Sequence, residues 1–178
     1  FEAAILENFG DAPFFPGRVP PITVAAMTAA ALAAKGAAST LELGVNVLRN
    51  DAEAALSVAV AAGARMIRIN VHAGARLTDQ GVVEGRAFET LRLRRELGAE
   101  HLRLLCDVDV KHSAALAPRP IAEEAEEIAG RGLADAILVT GSGTGRAVLH
   151  KHLDDVRAAV RVPVLVASGV TPETLPAL

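Results

Sequence analysis

At 178 residues, 51% of them hydrophobic, the chain can bury a substantial core, and it fits one ordinary domain over 1–178. Only 3% of the residues are aromatic, with no Trp or Tyr, so the core is expected to be aliphatic and offers little for stacking on bases. A net charge of −3 without any cluster of Lys and Arg excludes the basic footprint of a nucleic-acid or membrane-surface protein.

The single cysteine, Cys106, cannot form an internal disulfide, and its place among apolar residues suits a small buried hydrophobe. No run of about 18 apolar residues appears and no signal-peptide pattern opens the chain, so a soluble cytoplasmic protein is expected. The chain starts at Phe1 and ends in TPETLPAL, and a cut at either end is expected.

The first expected strand is Ala3–Glu7. A long connection, GDAPFFPGRVPP, follows it and carries Phe14 and Phe15 outside any strand, as a lid or an oligomer contact would. A helix is expected over Pro21–Lys35, then a strand over Leu41–Val47 and a helix over Asp51–Ala62 that stops at Gly63. The third strand, Met66–Val71, leads into a second long connection, HAGARLTDQGVVEG, and then a helix over Glu84–Leu97 with Gly98 behind it. Strand Arg103–Val110 precedes helix Ile121–Arg131, which Gly132 should end. Strand Ala136–Thr140, helix Leu149–Val160 and strand Val164–Ala167 complete the pattern. A last helix would start at Pro172 behind a Thr171 cap.

Strict alternation of strands and helices means a parallel sheet with right-handed crossovers. The long connections follow strands, and the returns from helix to strand are short. That asymmetry belongs to a (β/α)8 barrel, whose site is built from loops at the strand C-terminal ends. Side-chain alternation supports the same choice. In the third strand Ile67, Ile69 and Val71 share one face, and Arg68, Asn70 and His72 share the other. An open sheet covered on both sides would need two apolar faces.

The strand RLLCDVDVKHS is the densest in chemistry. Leu104, Cys106, Val108 and Val110 face the helices; Leu105, Asp107, Asp109 and Lys111 face the other way, ending in charge. Buried charges need partners, so this end holds either a self-contained salt-bridge network or a site. Glu7, Asn46, Asn70, His72, Asp107, Asp109 and Lys111 all fall on inward faces at or just past strand ends, where barrel interiors carry catalysis. Arg68, lower on its strand, is expected to pair with an interior carboxylate. Lys111 would hold an anionic substrate or, desolvated, act as a base or Schiff-base former. His112 follows it, and Arg49 lies just past the second strand; both are candidates for an anionic group. Asp107, Asp109, His72 and His112 are ligand types for a divalent ion but lack the fixed spacing of a metal motif. No cofactor is expected.

The loop TGSGTG (Thr140–Gly145) offers backbone N–H groups to an oxyanion or phosphate through Thr140, Gly141, Ser142 and Gly143, or else is a flexible turn. It lacks the Gly-Lys-Ser/Thr ending of a Walker A loop, and Arg146 stands where a dinucleotide fingerprint needs its third Gly. Ser168 and Gly169, ahead of the last helix, form a second candidate anion site.

The runs ENFGDAPFFPGRVPP, LGVNVLRND, RINVHAGARLTDQGVVEGRA, DVDVKHSAALAPRP, LVTGSGTG and VLVASGVTPE occur in the order of the BtpA/SgcQ family, which the chain resembles over essentially its whole length. The resemblance implies a (β/α)8 barrel of about 250 residues, of which this chain is similar to strands two to seven. The first strand, with its His-Leu-Leu-Pro-Leu-Pro-Gly-like end, has no counterpart. Neither does the eighth, with its Gly-Thr-Ser-Leu-Lys-like turn. Half of an expected phosphate site is thereby missing, and two unpaired sheet edges predict poor solubility.

One branch of that family is linked to photosystem I biogenesis in cyanobacteria and another to nucleosidase-type or sugar-metabolism chemistry. The expected function is an enzyme acting on a small phosphorylated or ribosyl/sugar-type substrate, homo-oligomeric when full length. A non-catalytic assembly or stability factor is the alternative. A lesser alternative is a lyase: Asp109-Val110-Lys111 is similar to the Asp-x-Lys-x-x-Asp motif of orotidine-phosphate-decarboxylase barrels, with Ala114 where the final Asp belongs.

Overall fold

The computed structural model describes residues 2–141 and 143–177. The chain forms two compact units, one comprising residues up to Asn70 with Arg86–Leu105, the other Val71–Gly85 with the chain from Cys106 on.

In the first unit, strands β1 (Ala3–Glu7), β2 (Glu42–Asn46) and β3 (Met66–Ile69) lie side by side in chain order, both pairs parallel. Helices α1 (Pro21–Ala37), α2 (Ala52–Ala62) and α3 (Ala87–Glu96) belong to the same unit. Proline fits the first turn of α1, where its missing N–H would lack a helical partner anyway. Asp51 fixes the start of α2: Oδ1 accepts from Ala54 N–H at 2.9 Å, and Oδ2 accepts from Val19 N–H at 2.8 Å. Gly63, at φ 65°, ends that helix in the left-handed conformation glycine adopts without strain. Between these ends Ala55, Leu56, Val58 and Ala59 are fully buried. The next parallel strand, β6 (Arg103–Val108), starts beside β3, with Arg103 N–H donating to Arg65 O at 3.0 Å.

In the second unit the end of β6 is followed by β8 (Ala136–Val139) and β9 (Val164–Val166), again in chain order, with β8 and β9 parallel. Helices α4 (Ile121–Gly130) and α5 (His150–Ala159) pack against each other. A small antiparallel sheet of order β5-β4-β7 joins β4 (Ala75–Thr78), β5 (Gly81–Glu84) and β7 (Ser113–Ala115). Under it Val71, Val83 and Val110 form a buried aliphatic cluster.

In both units the parallel strands neighbour in the order they occur along the chain. A doubly wound sheet reverses its order at a switch point; a (β/α)8 barrel does not. The fold is therefore parallel α/β of TIM-barrel type, as the alternation predicts.

Four local expectations are corrected. The connection HAGARLTDQGVVEG is not an irregular loop but a hairpin, β4 and β5, closed through Asp79 and Gln80. Glu84 accordingly belongs to a strand, and α3 starts at Ala87. The strand expected over Arg103–Val110 ends at Val108, because Asp109 turns to φ 49° and leaves the extended conformation. At the far end the expected helix from Pro172 is a short 3-10 turn at Leu175–Ala177, although Thr171 Oγ1 does accept from Thr174 N–H at 3.3 Å.

Candidate functional site

In the first unit the polar groups gather where the parallel strands end. β1 and β2 run in register, so Glu7 lies opposite Asn46. Asn46 Nδ2 donates to Glu7 Oε1 at 2.8 Å, and Arg68 Nη1 reaches the same oxygen at 3.0 Å. Arg68 thus takes the interior carboxylate partner expected of it. Both bonds fall on Oε1 of this partly exposed carboxylate. Asn8 fixes the following loop: its Oδ1 accepts from Leu48 N–H at 2.7 Å and its Nδ2 donates to Leu48 O at 3.3 Å. Arg49 and Asn70, one loop residue and one strand-end residue, are both buried.

In the second unit the end of β6 and the small sheet build a charged cluster. Asp107 is buried, as its place inside the strand dictates. Asp109, past the strand end, is half exposed and turns toward β4. There Arg76, itself 8% exposed, makes three separate contacts. Its Nη2 pairs with Asp109 Oδ1, its Nη1 with Glu124 Oε2 at 3.0 Å, and its Nε donates to Ser113 Oγ at 2.9 Å. One guanidinium therefore ties a β-hairpin, the turn after β6, strand β7 and helix α4 together. Lys111 is partly buried in that turn. His112, with φ 58°, is exposed and lies 3.1 Å from Thr144 Oγ1, bringing the turn to the glycine loop.

Within that loop Thr140 is buried, and its Oγ1 has no hydrogen-bond partner among the described residues. Ser142 lies outside the described residues. Gly141 and Gly169 have a packing reason to be glycine: a Cβ at either would come within 2.1 Å or 2.4 Å of Arg146 O. Gly143 is buried, and Ser168 is partly buried beside Gly169. His72 sits away from solvent altogether, its Nε2 2.8 Å from Gly132 O. Burial is the larger influence on its pKa and lowers it, against a smaller raising effect of that hydrogen bond, so the ring is neutral at pH 7.

An open cleft of about 550 Å³ lies beside Arg76 and Asp109. Ala115, Pro118 and Ile121 supply apolar wall; Glu124, Lys151 and His152 supply charge and polarity. None of these six follows from strand alternation, because they sit on an irregular segment, a short strand and the first turns of two helices. Proline before an apolar helix start, as at Pro120, is the one sequence signal that a loop ends there.

Among the described residues no group of three or more His, Cys, Asp and Glu side chains converges as a metal site does, and no helix is long and apolar enough to cross a membrane.

Parallel strands in unbroken chain order, with carboxylates, amides and guanidinium groups collected at their C-terminal ends, define a protein of TIM-barrel type with a polar strand-end site. The solved phosphoribosyl anthranilate isomerase of Thermus thermophilus shares that fold: TM-score 0.57 over 98% of this chain and 68% of that one, at 17% identity. The chain belongs to the BtpA family, whose pattern matches residues 1–178. An uncharacterised protein of Thermococcus kodakarensis is 43% identical over the whole of this chain and 66% of its own length. The photosystem I biogenesis protein BtpA of Synechocystis is 40% identical over 98% of this chain and 60% of its own length. The chain thus spans less than two thirds of the length of these relatives.

Proposed function

We propose that the protein is an enzyme acting on a small phosphorylated or ribosyl/sugar-type compound, with its chemistry at the C-terminal ends of the strands. Asp109 carries this reading: a half-exposed carboxylate, held by buried Arg76, borders a cleft of about 550 Å³. That volume falls in the range of small-molecule sites. Asp107 and Asp109 take acid–base or electrostatic roles; Lys111 and His112 hold the anionic group, with Thr140, Gly143 and Ser168 as further donors. Glu7, positioned by Asn46 and Arg68, is a second carboxylate at a strand end.

A thermal-shift screen of the full-length protein against phosphorylated sugars, nucleosides and nucleotides tests it. A ligand at 100 times its Kd adds about 2.7 kcal/mol of stability, a readily measured rise in Tm. For the compound found, Asp109→Asn combined with Lys111→Ala should lower turnover by about 100-fold or more. Unchanged turnover in that variant ends the reading.

The Synechocystis relative's name favours a second reading, a non-catalytic factor in photosystem I biogenesis. Its candidate contact is the connection after β1, where Phe15 is exposed and Phe14 packs against Phe9 at 6.2 Å between ring centroids. Under this reading, complementation of a strain lacking that relative survives the charge variants and fails with Phe15→Ser.

A further inference from the structure

The connection after β1, residues 8–20, belongs to the first unit and is fastened near both ends to the loop between β2 and α2. At its start Asn8 exchanges two bonds with Leu48: Oδ1 accepts from the N–H at 2.7 Å, and Nδ2 donates to the carbonyl at 3.3 Å. Further on, Arg49 N–H donates to Phe15 O at 3.0 Å, and Val19 N–H donates to Asp51 Oδ2 at 2.8 Å. These anchors follow the same order on both segments, so the connection runs along the loop as a strap. Its middle is held by its own residues. Asn8 Nδ2 also donates to Asp11 at 3.1 Å, and the Phe9 ring packs on Phe14. Residues 9–18 are exposed apart from the half-buried Phe14, and a Cβ at Gly10 or Gly17 would meet nothing within 4 Å. A segment with so few buried contacts opens locally at low cost.

Two residues give the strap more to do than join β1 to α1. Arg49 is only 6% exposed although it sits in a loop, where an arginine is seldom buried. Asp51, also buried, serves two structures with one carboxylate: Oδ1 caps α2 through Ala54 N–H, and Oδ2 holds Val19 N–H. Bonds to an ionised acceptor are the stronger kind. Because each structure has its own oxygen, the strap can be let go without uncapping the helix. We propose that residues 9–18 form a lid, latched at Asn8 and Asp51, which opens as a unit and uncovers Arg49 at the strand-end side for an anionic ligand. The lid and its latch rest on these bonds; the anionic character of what enters rests on the proposed function.

Chymotrypsin tests the latch on the full-length protein, because cleavage after Phe9 and Phe14 follows the population of the opened strap. Asp51→Asn keeps an oxygen to cap α2, where Asn serves as well as Asp, but turns an amide N–H group toward Val19 N–H. Asn8→Ala releases the other end and leaves α2 untouched. Each variant should speed cleavage at these two sites about tenfold while the melting transition stays cooperative. Glu53→Gln, which breaks only the exposed pair with Arg18, should stay within about twofold of wild type. In the same two variants phenylglyoxal, an arginine reagent, should modify Arg49 about tenfold faster, read by peptide mass spectrometry. Cleavage no faster than wild type in either variant overturns the latch. Faster cleavage with unchanged modification of Arg49 overturns the lid, since the strap then opens and covers nothing. If Asp51→Asn does not fold, Asn8→Ala decides alone. Neither assay involves turnover, so the lid and the enzymatic reading fail separately.

Discussion

His72 shows how one residue type can be read in two ways. It lies three residues past the end of β3, fully buried, with Nε2 against Gly132 O at 2.8 Å. A carbonyl only accepts, so Nε2 carries the proton and Nδ1 is a bare acceptor. No hydrogen-bond partner for Nδ1 exists among the described residues, so protonating it would bury a charge with nothing to receive the new N–H. Gly132 makes the contact possible: a Cβ there would stand 2.5 Å from Ile128 O and 3.0 Å from the imidazole. The folded pKa of His72 is lowered, so the unfolded chain binds the proton more readily. Its stabilising contribution is then complete above the unfolded value of about 6.5 and is lost as pH falls from there toward the folded value. Urea unfolding at pH 7.5 and pH 5.5 should show the wild type weakening more than His72→Gln, which cannot titrate. Equal losses in the two proteins would mean that His72 does not carry this pH dependence.

Among the elements, the β4–β5 hairpin is the one strand alternation could not reveal, and its residues explain why. A half-buried strand is recognised by apolar residues on its inner face. Here Arg76 faces inward and Leu77 outward, and on the partner strand Val82, opposite Leu77, is half exposed. On β4 the pattern is inverted because inward Arg76 serves an ion cluster, and on β5 the apolar pair Val82 and Val83 erases the alternation, with Val83 buried opposite Arg76. The parallel strands, by contrast, are aliphatic and bounded by glycine, proline and capping residues, and they fall within two residues of their expected ends. Legibility of the site divides the same way. Glu7, Asn46 and Asp107 follow from phase along a strand. Arg76 and Glu124 do not, since their meeting depends on how hairpin, turn and helix pack. Arg76→Met retains the stem and removes the charge, leaving Glu124 and Asp109 facing each other without a cation. A broken buried pair costs about 3–5 kcal/mol, and the exposure of Asp109 lowers the expectation here to about 2–3 kcal/mol at pH 7. Denaturant titration measures it. Arg76→Lys should recover little, because a point-like ammonium cannot bond Ser113, Asp109 and Glu124 together. Full recovery by lysine would show that charge alone, without the planar fork, organises the cluster.

At the scale of the whole molecule, the unreversed strand order makes a directional claim about where activity resides. In a TIM-type fold the strand C-terminal ends carry catalysis and the N-terminal ends carry stability. The chain has charged groups at both. At the N-terminal ends of β2 and β3, Glu42 and Arg65 border a recess of about 210 Å³. There Lys35 Nζ donates to Gly63 O at 2.8 Å, satisfying a carbonyl at the end of α2. That recess has a structural account already. Glu7, at the last position of β1, is different: its Oε1 accepts from both Asn46 and Arg68, an arrangement that holds the carboxylate in place. For whichever substrate the screen identifies, Glu7→Gln and Asp107→Asn should each lower kcat by about 100-fold or more, the range expected for removing an acid–base group. Glu42→Gln and Arg65→Gln should leave kcat within about twofold, with any effect appearing in Tm. The contrast separates catalysis from generic damage, since all four variants remove one charge at or beside an end of the parallel strands. Equal losses at both ends would overturn the directional claim, and a loss confined to the N-terminal pair would place the chemistry in the recess around Lys35 instead.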